Sequence, residues 1–402
     1  MAVRTVRLRE RETYLAGDVD LDIADLRAIK GVNSKVVSRS LDEQDRLEVT
    51  TGGFVGHLPI SADLDLVFES KVPIANLFGM MELVSGLKLD DKTRSTFDSG
   101  DLEEVFGKLA TSLARRVLQR CRHGLYKAYV PVTEDLPHVR GRMNVIRLAT
   151  HPQRLDLECC FENHTEDIDE NRIVAWTLRR MSGMPFREDV LCTVRRAISS
   201  LRGSVEISHA PPSACLGRIY NRLNEPYRIL HQLCWFFLAN SGPVFSRGER
   251  RMTSFLLNID ALFESYVAEW LRRRLLASGF RASKKFPFAV EHMNFEIDVL
   301  VHGPDGHPWA VLDTKYKDVD KPANADVNQV VTYAHAEGCS EAVLIYPSLV
   351  TRPLIDARFG SVRVRSLTYD LSNPELDAAG ESFVAQLFSG SSLFDELTFR
   401  TG

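Results

Sequence analysis

The sequence predicts an α+β protein with a β-rich N-terminal domain, a helical middle and a C-terminal α/β domain. Short alternating segments fill the chain up to Lys71, helical periodicity dominates the middle, and β-type segments around one short helix follow residue 280. We place the domains at residues 1–165, 166–250 and 251–402.

The N-terminal strands are predicted from apolar and polar residues that alternate between turn formers. Gly52, Gly53 and Gly56 mark bends between these segments. The predicted strands lie within the segments VRTVRLRERETYLA, RLEVTTGGFVGHLPI and ADLDLVFESKV.

Helices are predicted where apolar residues recur at three- and four-residue spacing. They are expected in IANLFGMMELVSGL, in DLEEVFGKLATSLARRVLQRC, from Asp169 onward, and in a block interrupted at Pro226, GRIYNRLNEPYRILHQLCWFFLANSG. The following SGPVFSRGERR is interpreted as a linker or loop. The strongest helix signal is DALFESYVAEWLRRRLLASGF, with Gly279 as its C-cap.

The last third of the chain predicts the element order β-β-β-α-β. Its segments are FAVEHM, NFEIDVLVHG, PWAVLDTKYKD, ADVNQVVTYAHAEG and EAVLIYPS. The turn-rich HGPDGHP is expected to reverse the chain between the second and third strands.

Composition narrows the class of protein. With 44% hydrophobic and 26% charged residues and a net charge of −4, the chain is expected to be a globular protein and not a strongly basic nucleic-acid binder. No apolar run is long enough to span a membrane, and the start lacks the apolar region of a signal peptide. The seven cysteines form no CxxC, so we expect a reduced, cytoplasmic protein. The GxxxxGK[ST] loop that binds nucleotide phosphates is absent from the sequence.

Two predicted strands carry aspartates where burial would make a lone charge costly. Asp298 interrupts the apolar segment FEIDVLV, and Asp313 and Lys315 share one face of AVLDTKY. If the strands are adjacent, both carboxylates converge at one end of the sheet beside the lysine. Such a pair suits Mg²⁺, with Mn²⁺ as an alternative, and the lysine can orient water or neutralise a phosphate.

Other residues extend this pattern. Glu264 on the strong upstream helix is a third candidate carboxylate, and Gln329 and Tyr333 form QxxxY on the downstream helix. A lone Asp–Lys pair is usually a surface ion pair worth under about 1 kcal/mol. The joint order of these residues instead favours the pattern of PD-(D/E)XK nucleases, with Asp298 and Asp313 as metal ligands.

Several longer segments resemble the McrC family of McrBC modification-dependent restriction systems. They are LDLVFESKVPIANLFGMM, GLYKAYVPVTEDLPHVRGRMNV, CCFENHTEDIDENRIV, IDALFESYV and VLDTKYK followed by NQVVTYA and LIYP, and they reach from about residue 55 to 347. The chain has Ile297 before Asp298 where the family usually has proline, and Ser70-Lys71 where it has proline–lysine.

The resemblance implies a function for each end of the chain. McrC-like proteins supply DNA cleavage to a hexameric AAA+ GTPase ring of the McrB type, which their N-terminal β-rich part contacts and stimulates. We therefore expect an antiviral restriction subunit that cuts double-stranded DNA carrying 5-methylcytosine-type modification. Two alternatives stay open: a catalytically degenerate scaffold that activates an AAA+ ring, and a stand-alone RecB-like nuclease.

Overall fold

The computed structural model describes residues 3–61, 63–86, 102–151, 153–247, 250–290 and 293–389. Contacts divide the chain into two units, one of residues 1–102 with 256–402 and the other of residues 103–255. The first 102 residues thus share a unit with the C-terminal part. The predicted functional boundaries at residues 165 and 250 stay predictions.

The N-terminal part of the first unit is built mainly from strands, as the alternating pattern predicts. Strand β1 runs parallel to β6, β5 pairs with β6 in the antiparallel sense, and β4 lies between β2 and β3. The alternate residues Leu64, Leu66 and Phe68 of β6 are buried in its core. The elements are β1 (Arg4–Arg9), β2 (Thr13–Leu15), α1 (Ile23–Ile29), β3 (Val37–Leu41), β4 (Leu47–Thr51), β5 (Phe54–Pro59), β6 (Leu64–Glu69) and α2 (Ile74–Ser85).

The middle unit contains helices and two antiparallel strand groups. Its elements are α3 (Leu102–His123), β7 (Ala128–Leu136), β8 (Arg142–Met143), α4 (Val145–Thr150), β9 (Leu157–Thr165), α5 (Asp169–Met181), α6 (Glu188–Leu201), α7 (Tyr227–Ala239), β10 (Ser241–Arg247) and β11 (Arg250–Asn258), the last of which crosses into the first unit. Strand β9 pairs with both β7 and β8, and β10 pairs with β11.

Two sequence predictions are wrong in this unit. The block before Pro226 is not an α-helix, because residues 218–221 have no regular structure, residues 222–226 form a turn and the helix begins only at Tyr227. The stretch interpreted as a linker forms the hairpin β10–β11. Backbone and side-chain hydrogen bonds hold it on the end of α5, from Thr253 N–H to the Gly183 carbonyl and from Arg180 to the Gly242 carbonyl.

The C-terminal part of the first unit confirms the predicted order β-β-β-α-β. A six-stranded sheet has the order β12-β13-β14-β15-β17-β16, in which β14, β15 and β17 are parallel. Helix α9 connects β14 to β15, and Gly279 ends the short 3₁₀ turn after α8 with φ +81°. The elements are α8 (Ile259–Leu275), β12 (Arg281–Val290), β13 (Met293–His302), β14 (Pro308–Thr314), α9 (Asn324–Glu337), β15 (Glu341–Tyr346), β16 (Ala357–Phe359), β17 (Val362–Thr368) and α10 (Leu376–Phe388).

The two parts of the first unit are joined by hydrogen bonds as well as by packing of α2 on α8. The Asn76 side chain donates to the carbonyls of Leu371 and Asn373, each at 2.8 Å. At the start of α8, Ile259 N–H donates to the Gly53 carbonyl at 2.9 Å. The described residues thus form a mixed fold of helices and several sheets, which is consistent with the predicted α+β class. Among the described helices, none is long and apolar enough to cross a membrane.

Gly52 provides a test of the packing within the N-terminal part of this unit. A Cβ at this position would lie 1.8 Å from the Lys35 carbonyl oxygen, so Gly52→Ala requires the backbone to move. We expect the free energy of unfolding to fall by about 1–3 kcal/mol, measured by denaturant titration. Gly17→Ala is the matched control, because a Cβ there meets nothing within 4 Å. Equal stability of the two variants would contradict the packing described here.

Candidate active site

The candidate site lies where β13 and β14 run side by side. Their antiparallel register pairs Val299 with Leu312, and both residues are fully buried. Asp298 and Asp313 are the next residues along the two strands. Each strand thus brings one carboxylate to the same end of the pair, as the alternation of the sequence predicted.

Asp298 is held by the residue that follows Asp313. Its Oδ2 atom accepts hydrogen bonds from the backbone N–H and the hydroxyl of Thr314, both at 2.8 Å. These two donors fix the carboxylate on β13 relative to the end of β14. Alternation along the strand places Thr314 on the face opposite Asp313, so the sequence pattern does not predict this contact.

Asp313 is a buried carboxylate with a lysine partner. Only 2% of the residue is exposed, and the Lys315 ammonium lies 2.6 Å from its Oδ2 atom. Burial, and then the nearby charge of Asp298, raise the pKa of Asp313 to about 6, although Lys315 opposes the shift. The carboxylate is therefore destabilised in its charged form near neutral pH.

Lys315 connects the strands to helix α9. Its ammonium donates to Gln329 Oε1 at 3.1 Å, and the Gln329 amide donates to the Tyr333 hydroxyl at 3.0 Å. Burial lowers the pKa of Lys315, but the neighbouring carboxylates, Asp313 first, more than offset this effect and the pKa is raised. Lys315 is therefore a cation in this arrangement, which suits the neutralisation of negative charge better than proton abstraction.

Glu264 lies on α8, which packs against β12 and β13. It is half-buried, and the preceding Phe263 packs its ring 5.9 Å, centre to centre, from the ring of Tyr316. The structure thus places Glu264 next to a residue that contacts the segment after Lys315. The other five predicted residues contact one another more directly than they contact Glu264. Thr314 joins Asp298 to the end of β14, an ion pair joins Asp313 to Lys315, and hydrogen bonds join Lys315 to Gln329 and Gln329 to Tyr333.

Three residues near the site were missed by the sequence interpretation. Lys317 forms an ion pair with Asp326 in the first turn of α9, and the charge of Asp326 raises the pKa of Asp313. The hydroxyl of Tyr346, at the end of β15, is buried without a hydrogen-bond partner in the described parts of the chain. In the sequence, Lys317 could have been noticed as the second lysine of DTKYK, and Asp326 as an aspartate one helical turn before Gln329.

The sequence of this chain matches a known family. Residues 49–347 match the family described as McrBC 5-methylcytosine restriction system component. The chain belongs to the McrBC family. This match, together with the two similar proteins described next, confirms the predicted membership of its McrC branch.

Two similar proteins illustrate the membership. The chain is 22% identical over 215 residues to the "Type IV methyl-directed restriction enzyme EcoKMcrBC" of Escherichia coli (strain K12), over 52% of this chain and 61% of that relative. The match thus spans about three fifths of the curated relative. A chain of the refined half-complex of Thermococcus gammatolerans McrB AAA+ hexamers with bound McrC shares the fold, with a TM-score of 0.58, 18% identity and coverage of 96% of this chain and all of that one.

The carboxylates of Asp298 and Asp313 are the donors that this McrBC-family chain offers to a hard cation at the site. Within the described ranges, no three His, Cys, Asp or Glu side chains are grouped so that they could hold a metal by themselves. Mg²⁺ does not require such a group, because it commonly binds one or two carboxylates and keeps several waters. The buried carboxylate of Asp313 beside that of Asp298 is a suitable donor set, since a cation would relieve their repulsion.

The raised pKa of Asp313 in this McrBC-family chain predicts a pH dependence of stability. Between pH 3.8 and about 6 the folded protein holds a proton at Asp313 that the unfolded chain releases. Stability therefore falls as pH rises through this window, by up to about 3 kcal/mol. In metal-free buffer, Asp313→Asn should show less of this fall in unfolding free energy measured from pH 4 to 7.

The matched control is Asp305→Asn, which changes an exposed aspartate in the β13–β14 turn. It should follow the wild-type pH profile. A wild-type profile for Asp313→Asn as well would show that this carboxyl group is not perturbed.

Proposed function

We propose that this chain is the Mg²⁺-dependent DNA endonuclease subunit of a McrBC-like type IV restriction complex. It would cleave 5-methylcytosine-type modified DNA together with an AAA+ GTPase ring that it stimulates. The observation that carries the proposal is the grouping of Asp298, Asp313 and Lys315 at one end of two adjacent buried strands, in a chain of the McrBC family. This grouping supports a PD-(D/E)XK-type nuclease domain.

The proposed chemistry is hydrolysis of a phosphodiester bond. Asp298 and Asp313 would hold Mg²⁺, which when bound polarises the phosphate and increases the acidity of a coordinated water. Thr314 keeps the Asp298 carboxylate in place, so the two ligands are preorganised before the ion arrives.

Lys315 has a separate role in this proposal. Since its pKa is raised, it is suited to neutralise the negative charge that develops on the scissile phosphate. Gln329 directs the ammonium through its carbonyl oxygen, and Tyr333 in turn holds Gln329. With a cation held by Asp298 and Asp313, the Lys315 ammonium would no longer be needed at Asp313 and would be available to the phosphate.

The partner is proposed from the relatives. The matched Thermococcus assembly is described as McrB AAA+ hexamers with bound McrC, and this chain carries no GxxxxGK[ST] loop of its own. A division in which the ring hydrolyses nucleotide and this chain cuts DNA accounts for both observations. The net charge of −4 also favours delivery of DNA by a partner.

The two metal ligands can be tested apart from partner stimulation. In full-length protein mixed with a cognate ring, GTP, Mg²⁺ and methylated DNA, Asp298→Ala/Asp313→Ala should abolish cleavage, because the ion loses both ligands. The same protein should stimulate GTP hydrolysis as well as wild type does. Asp305→Ala, an exposed change, should retain both activities.

The outcomes separate the competing functions. Cleavage near the wild-type rate by the double variant would reject the assigned site. Stimulation of GTP hydrolysis by wild type without cleavage of any modified DNA would favour a scaffold. Partner-independent and nucleotide-independent cleavage would favour a stand-alone nuclease.

The role of Lys315 predicts a different kinetic signature. Lys315→Ala should lower the single-turnover cleavage rate by about 10²-fold or more, because the missing cation acts on the reacting phosphate. The affinities for Mg²⁺ and DNA should change much less. Weaker DNA binding with an unchanged single-turnover rate would instead make Lys315 a phosphate-binding residue.

A further inference from the structure

Glu10 is a buried carboxylate outside the candidate site. It follows β1, it is 0% exposed, and burial is the main cause of its raised pKa. Its Oε1 atom accepts hydrogen bonds from the Tyr316 hydroxyl at 2.8 Å and from the Lys71 backbone N–H at 2.9 Å. The Oε2 atom has no hydrogen-bond partner in the described residues. A buried carboxylate with one unpartnered oxygen is costly unless its other contacts compensate for the lost water.

Tyr316 connects Glu10 to the candidate site. It directly follows Lys315, its ring packs on Phe263, and Phe263 precedes Glu264. A cavity of about 90 Å³ adjoins Tyr316 and is lined also by Arg11, Lys71 and other residues. Packing is therefore incomplete on this side, and the hydrogen bond to Glu10 is one of the contacts that restrain the segment after Lys315, beside those of Lys317 with Asp326 and of Asp318 with Ser348.

Arg11 makes a second connection from the same turn. Its φ is +53°, a conformation that a non-glycine residue seldom adopts, and its backbone N–H donates to the Gly52 carbonyl. Its guanidinium lies 2.6 Å from Asp260 Oδ2 in the first turn of α8. Asp260 is four residues before Glu264, so Arg11 restrains the helix that carries the third candidate carboxylate.

We propose that Glu10 and Arg11 together form a positioning clamp for the candidate nuclease site. Glu10 holds Tyr316 and thereby the backbone beside Lys315, while Arg11 holds Asp260 and thereby the start of α8. Two consecutive residues of the N-terminal β-rich part thus restrain two of the elements that present candidate catalytic groups, the segment after β14 and helix α8. This inference rests on the proposed function, in which that part of the chain contacts the ring.

The clamp also gives a physical account of Ser70-Lys71, the departure from the family sequence. The backbone N–H of Lys71 donates to Glu10, the Ser70 hydroxyl lies 3.4 Å from the same oxygen, and the Lys71 ammonium lies 3.5 Å from Asp318. Unlike proline, serine at position 70 supplies a hydroxyl to the buried carboxylate. This loop therefore supplies two of the hydrogen-bond donors to the Oε1 atom of Glu10.

The test combines one readout that requires activity with one that does not. Tyr316→Phe removes only the hydroxyl that donates a hydrogen bond to Glu10, and it leaves the ring packed on Phe263. Single-turnover DNA cleavage with the partner ring should slow on the order of tenfold, with DNA affinity within about twofold of wild type. Without partner or DNA, amide hydrogen exchange of residues 312–320 should become faster.

Controls distinguish the clamp from general loss of packing. Tyr227→Phe removes another buried hydroxyl, bonded to Asn171 and the Tyr126 N–H in the middle unit, and should change neither readout. Arg11→Gln should speed exchange of residues 259–266 and slow cleavage. Arg7→Gln removes the ion pair of β1 with Glu69, which does not involve the candidate site or α8, and should do neither.

Each result decides the proposal. Wild-type exchange in Tyr316→Phe, or faster exchange with a wild-type cleavage rate, would overturn the positioning role. If the wild-type protein does not cut DNA with its partner, the proposed function fails. The exchange measurements on the free protein then decide alone whether the clamp exists.

Discussion

The buried ion pair between Asp313 and Lys315 is the constraint on which the account depends. A carboxylate that is 2% exposed beside a second carboxylate is unfavourable unless a cation compensates it. In the structure described here the compensating cation is the lysine two residues later, 2.6 Å away. The site is therefore suited to positive charge, and under the proposed function a bound cation would replace the ammonium at Asp313.

Hydrogen bonds from neighbouring elements hold the residues around this ion pair in place. Thr314 ties Asp298 to the end of β14, and Gln329 and Tyr333 tie the lysine to α9. The hydrogen bond from Tyr316 to Glu10 spans 306 residues of sequence and joins the same segment to the first strand of the chain. This hydrogen bond is one of the contacts, with those of Asn76 to Leu371 and Asn373, by which residues 1–102 belong to one unit with the C-terminal part.

The sequence predicted those features that depend on short-range periodicity. Alternation placed Asp298 and Asp313 on neighbouring strands, and the four-residue spacing of Gln329 and Tyr333 placed them on one helix face. It failed where distant partners decide the outcome. Residues 241–251 lack a clear strand pattern, yet β10 pairs with β11, and Gly242 and Thr253 of these strands bond to Arg180 and Gly183. Likewise, nothing local to Glu10 indicates its partner Tyr316, because the contact arises only from tertiary packing.

Metal binding by the isolated protein tests the central claim most directly. Mn²⁺ can be titrated into metal-free protein without DNA or partner and followed by electron paramagnetic resonance. We expect a site in the wild-type chain that is lost in Asp313→Asn and retained in Asp326→Asn, because Asp326 is already paired with Lys317. Unchanged Mn²⁺ binding by Asp313→Asn would contradict the account, since the buried carboxylate would then not be a ligand.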